Sequence, residues 1–97
     1  MGISVYSGVR VSGGMVTVHT GPCWLLALLV SHDQSAAQTV MVYDNTAGSG
    51  EVALRLTVRP TTNNPYYVEF VHPIPLDVGL TVVAPTGVDV HVWAKGR

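Results

Sequence analysis

Four histidines, His19, His32, His72 and His91, are the side chains best suited to gather a metal ion, and Asp89 and His91 sit two apart on one strand face. Two ligands do not define a metal site, so solvation or cross-strand contacts are expected for them instead. Asp33 and Asp44 each stand at the start of a loop, where a carboxylate bonds nearby backbone amides. Neither has a second carboxylate beside it for general acid–base work, and no Asp-rich calcium loop occurs. Gly48-Ser49-Gly50 reads as a turn, with nothing adjacent to activate the Ser49 hydroxyl. The patterns G-x-S-x-G, H-E-x-x-H, Cys-x-x-Cys and the P-loop do not occur. Tyr66, Tyr67 and Trp93 form an aromatic set that a sugar could stack on, although core and interface packing are the commoner uses. The expectation is a non-enzymatic chain with no cofactor and no metal.

The elements that would carry these residues are strands. Valine alternates with polar residues in several segments, and Gly or Pro interrupts most windows long enough for a helix. Strands are predicted over 3–11, 15–20, 23–31, 39–44, 51–59, 66–71, 80–84 and 88–94, with 72–75 at best a short edge because Pro73 and Pro75 cannot donate to a ladder. Gly13-Gly14 and Pro85-Thr86-Gly87 read as turns between strands, and 60–65 as a loop. In 51–59, Val52, Leu54, Leu56 and Val58 face one way. In 88–94, Val88, Val90 and Val92 point inward and Asp89, His91 and Trp93 outward. Residues 1–97 are expected to form one antiparallel, all-β domain of seven or eight strands. Its architecture would be a β-sandwich, jelly-roll-like; the pattern does not choose between these topologies.

Segment 23–31 does not alternate. At period two, Cys23, Leu25, Ala27, Leu29 and Ser31 share one face, and Trp24, Leu26, Leu28 and Val30 the other. Both are apolar, whereas a strand of a two-layer protein normally turns one face to water. Either a loop such as 60–65 folds over the second face, or another copy of the chain covers it. Each large side chain there contributes roughly 1.5–3 kcal/mol when removed from water, enough for several to support association. Trp93, outward on the last strand, extends the same surface. Trp24, Leu26, Leu28 and Trp93 are therefore the predicted oligomer interface.

Composition points the same way. The 97 residues are 47% hydrophobic and only 11% Asp, Glu, Lys or Arg, against about 25% charged in an ordinary globular chain. So few charges leave little to solvate a free monomer's whole surface. Five basic and six acidic residues are scattered singly, which gives no stripe for phosphates and no patch for an anionic membrane; neither nucleic acid nor membrane is an expected partner. The apolar run 23–30 falls well short of the ~20 residues that span a bilayer, and nothing marks a signal peptide. The single cysteine, Cys23, excludes an internal disulfide and is expected to be a buried, inert thiol, as suits folding in a reducing cytoplasm.

The stretch 39–50, TVMVYDNTAGSG, resembles the strand-then-loop segment of small proteins encoded among the structural genes of tailed bacteriophages and prophages. Gly79-Leu80-Thr81-Val82-Val83 and Asp89-Val90-His91-Val92 are similar to the closing strands of the same kind of protein. The likeness spans roughly residues 23–94. It implies a virion structural protein of the capsid decoration, or cement, type: a sandwich or jelly roll that forms homo-oligomers, with a homotrimer favoured. Its partners would be itself and the major capsid protein, and its place the capsid surface after synthesis in the host bacterial cytoplasm. The N-terminal strand and the loops are the candidates for capsid contact. A tail or fibre adaptor, or a carbohydrate-binding host-attachment module using Tyr66, Tyr67 and Trp93, is the alternative.

Overall fold

A computed structural model describes residues 7–59 and 66–97. The loop expected at 60–65 and the start of the strand expected at 3–11 lie outside the described residues. Six strands are present among them: β1 (Ser7–Thr20), β2 (Cys23–His32), β3 (Gln38–Tyr43), β4 (Val52–Val58), β5 (Tyr66–Leu76) and β6 (Gly79–Gly96). The difference from seven or eight has a physical cause. Gly13-Gly14 and Pro85-Thr86-Gly87 do not end strands; they bend two long ones.

Strand β6 has 18 residues, which at ~3.3 Å per residue would run about 56 Å if straight. The molecule's longest dimension is 43 Å, so β6 must bend. It does so against β1, its antiparallel partner along nearly its whole length. Ser12 pairs with Asp89 and Gly14 with Ala84, which sets Gly13 alone opposite residues 85–88. Gly14 and Gly87 take φ of 116° and 84° there, a region costly to any residue with a Cβ. The shared corner curls one antiparallel sheet into a half-barrel, with strand order β4-β3-β6-β2-β5 and β1 on the other edge of β6. Residues 81–83 of β6 pair with β3, and residues 88–96 with β2.

The corner keeps the inward parity of β6, so Leu80, Val82, Ala84, Val88, Val90, Val92 and Ala94 all reach the core. They meet Val11, Cys23, Leu25, Leu28, Val30, Val40, Val42, Val58 and Leu76 in one cluster. Cys23 is buried as expected, and burial, with the nearby Asp44 charge, pushes its thiol pKa up. Edge strand β4 keeps the expected alternation, with Leu54 and Leu56 packed on the core and Ala53, Arg55 and Thr57 exposed. Edge strand β5 carries Pro73 and Pro75, which blunt its free edge.

The loop after β3 is tied down through Asp44. Its Oδ1 accepts the backbone N–H of Val78 at 2.8 Å and Gly79 at 3.3 Å, and its Oδ2 that of Asp77 at 3.1 Å. These amides belong to the β5–β6 turn, not to the loop that Asp44 begins, so the expectation of bonds to nearby amides is corrected. Asp33 likewise receives the side-chain amide of Gln34. Partial burial opposes the charged form of Asp44, but the three N–H donors and the Arg97 charge outweigh it and hold the carboxyl below its ordinary value. A depressed folded pKa stabilises above the unfolded value, and that stability is lost as pH falls through the folded one. Stability is expected to drop as pH goes below the ordinary aspartate value of 3.8. Asp44→Asn should cost about 1–3 kcal/mol at neutral pH and flatten the acid limb of a Tm-versus-pH curve. An unchanged acid limb would remove Asp44 from this role.

Candidate association face

The outer face of the half-barrel over β1, β6, β2 and β5 collects the exposed and half-exposed apolar groups near the predicted interface. Its composition is set by a bulge in β2. Leu25 pairs with Ala94 and Ala27 with Trp93, which leaves Leu26 as an extra residue with no counterpart on β6. On the other side Leu25 pairs with Ile74 and Ala27 with Glu69, so residues 70–73 of β5 stand opposite Leu26 alone; Phe70 packs on the core and Val71 is 86% exposed. An inserted residue reverses the facing of everything beyond it.

Leu28 is the residue most affected. Period-two counting places it on the second face with Trp24 and Leu26, but it is fully buried in its own chain's core, paired between Val68 and Val92. It is therefore corrected out of the predicted interface. Leu29 takes its place, half-buried on the outer face between Tyr67 and His91. No Gly or Pro marks the bulge in the sequence, and only the doubled apolar pattern hinted that facing was unsettled. Trp24, Leu26 and Trp93 are half-buried on the outer face as expected.

Across β1, β6, β2 and β5 the rows read Gly8–Trp93–Ala27–Glu69 and Arg10–His91–Leu29–Tyr67. Trp93 lies over Gly8, whose missing side chain leaves room: a Cβ there would sit 3.4 Å from the indole nitrogen. The His91 ring stacks on Trp93 with centroids 5.4 Å apart, and Tyr67 meets Trp93 edge-on at 6.0 Å and 79°. Leu26, Ala27, Tyr67, Glu69 and Trp93 line a shallow groove of about 200 Å³. At the far end of the face the Arg97 guanidinium lies 5.0 Å from the Trp24 ring centroid while bonding Asp77 at 2.6 Å.

The Asp89 carboxylate accepts Ser12 Oγ at 2.7 Å and the Arg10 guanidinium at 3.0 Å, and these two partners hold its pKa below the usual carboxylate range. Neighbouring His91 turns to Trp93 instead. His32 accepts the Gln34 N–H at Nδ1, so the Nε2 that faces the Arg59 carbonyl at 2.9 Å carries the proton and donates. His19 sits 3.3 Å from the Gly21 carbonyl through Nδ1, and His72 is exposed on β5. Among the described residues no three His, Cys, Asp or Glu side chains are grouped as metal ligands. Tyr66 and Tyr67 are successive residues of one strand and point to opposite faces, so the aromatic set on the outer face is Tyr67 with Trp93, without Tyr66.

The chain matches no family model, no curated protein and no solved structure. Its function is read from the face itself. A strip of aromatic and aliphatic groups, bordered by single charges, can bury area against another surface.

Proposed function

We propose that this chain is a non-catalytic association module, a bacteriophage virion structural protein of the capsid decoration type. The observation that carries the proposal is the outer face: Trp24, Leu26, Leu29, Tyr67 and Trp93 lie together and incompletely covered, on a chain with only 11% charged residues. Isolated surface hydrophobics need no explanation, but a contiguous patch with two Trp and a Tyr has the composition of a contact surface. The virion setting comes from the resemblance of residues 39–50 and the closing strands. The jelly-roll-like sandwich belongs to the same proposal, as a finer description of the half-barrel.

A cement protein needs no chemistry. It binds where capsid subunits meet, and because it binds the assembled lattice and not the separated subunits, it shifts the equilibrium toward the closed head. Several modest contacts made at once hold firmly, since each later contact forms at high effective concentration. The carbohydrate-binding alternative now draws on Tyr67, Trp93 and the groove beside Glu69, with Tyr66 removed to the opposite face.

The test uses heads assembled from the major capsid protein of the same structural-gene cluster. The purified chain should co-sediment with assembled heads, leave free capsid subunits unbound, and raise the temperature at which heads come apart. Heads that neither bind it nor gain stability would rule out the decoration role.

A further inference from the structure

Among the described residues, two charged side chains on the outer face have no charged or hydrogen-bonding partner. Glu69 projects from β5 beside the groove, and Lys95 from β6 beside Trp24. Among the described residues on this face, the remaining acidic and basic side chains are engaged: Arg10 with Asp89 at 3.0 Å, and Arg97 with Asp77 at 2.6 Å and Trp24. Glu69 and Lys95 have no such contact. Strand β2 lies between them. With strands about 4.8 Å apart, two strand spacings hold them roughly 10 Å apart laterally, out of reach of a direct ion pair. The apolar groups Trp24, Leu26 and Ala27 occupy the space between.

We propose that this face pairs with the same face of a second copy of the chain about a two-fold axis, each Lys95 meeting the partner's Glu69. The proposal rests on the self-association reading and adds its occupant, symmetry and register. One surface with a single unpaired positive and a single unpaired negative group on either side of an apolar centre is self-complementary, as an isologous contact requires. An axis in the interface plane, crossing the Glu69–Lys95 line at its midpoint near Leu26, forms both ion pairs at once and sets the apolar groups against each other. Any other rotation in the plane leaves like charges closer or both unpaired. This is a dimer contact, distinct from the threefold arrangement that the resemblance implies.

Charge reversal tests it, because neither residue supports its own fold. In sedimentation equilibrium the wild-type chain should form a dimer. Glu69→Lys and Lys95→Glu should each weaken it at least about tenfold, since each puts two like-charged contacts into the symmetric interface. Added salt should partly restore either single variant by screening that repulsion. The double variant, with the charges exchanged, should dimerise within about threefold of wild type. All three should keep the wild-type thermal midpoint at a concentration where the wild type is monomeric. A trimer, or a dimer indifferent to either reversal or not rescued by the exchange, overturns this pairing and leaves self-association standing. A chain still monomeric at concentrations on the order of 100 µM overturns both.

Discussion

Leu28→Ala is expected to remove about 2–5 kcal/mol of folding stability, while Leu26→Ala, two positions earlier, removes less than about 1.5 kcal/mol. The contrast is large because the bulge makes these leucines unlike. Leu28 is 0% exposed and packs in the cluster with Val30, Val90 and Val92. Truncating it forfeits its transfer free energy and leaves a cavity that the bonded strands on both sides cannot collapse into. Leu26 already meets solvent on the groove wall, so its truncation leaves no enclosed void. At an m-value of ~1 kcal/mol/M, the low end for a small domain in urea, the Leu28 variant's midpoint should fall by about two molar or more, and the Leu26 variant's by less than about 1.5 molar. Equal losses at the two positions would mean that β2 runs without its bulge, and with the bulge would go the whole assignment of the outer face.

The second large effect is on association. Trp93→Ala should weaken self-association by ~30-fold or more, the consequence of losing ≥ 2 kcal/mol at a central aromatic contact. Trp93 stands mid-face, with Gly8 beneath it, His91 stacked on it and Tyr67 edge-on, so its rotamer is fixed before any partner arrives and little entropy is lost on binding. The same change uncovers Gly8 and is expected to loosen the β1–β6 pairing. Tyr67→Ser separates the two roles: Tyr67 is 52% exposed and outside the core, so its loss should weaken association by a smaller factor while leaving the unfolding midpoint in place. Sedimentation velocity across a concentration series reads both. A Trp93 variant that is folded by circular dichroism and associates like the wild type would place the contact elsewhere.

The strands were legible because valine at alternate positions is a physical signal on its own. In 88–94 one parity is apolar and the other polar, and burial follows that parity without exception from Val88 to Ala94. The turn residues at 13–14 and 85–87 were legible as chemistry but not as geometry. Glycine there announces positive φ; whether the chain reverses or only bends depends on what lies alongside, and here two glycine-bearing segments bend against each other. Asp44 was legible as a residue seeking backbone amides, but its partners are more than thirty residues away in sequence, and proximity of that kind is created only by the fold.

The sequence by itself determined that this protein is antiparallel and all-β, that Cys23 is buried, that β6 hides its valines, and that Trp24, Leu26 and Trp93 lie outside the core. The inward valines of β6 and the outward Trp93 follow from local periodicity, which one strand carries within itself, and the burial of Cys23 from the habit of a free thiol in an apolar run. Tertiary structure alone decided that six strands form one curled sheet, that Leu28 and Leu29 exchange faces, and that Glu69 and Lys95 share a surface without touching. A bulge and a corner are properties of pairing: they exist only when a neighbouring strand supplies a different number of residues over the same distance, and no single strand's pattern records that number.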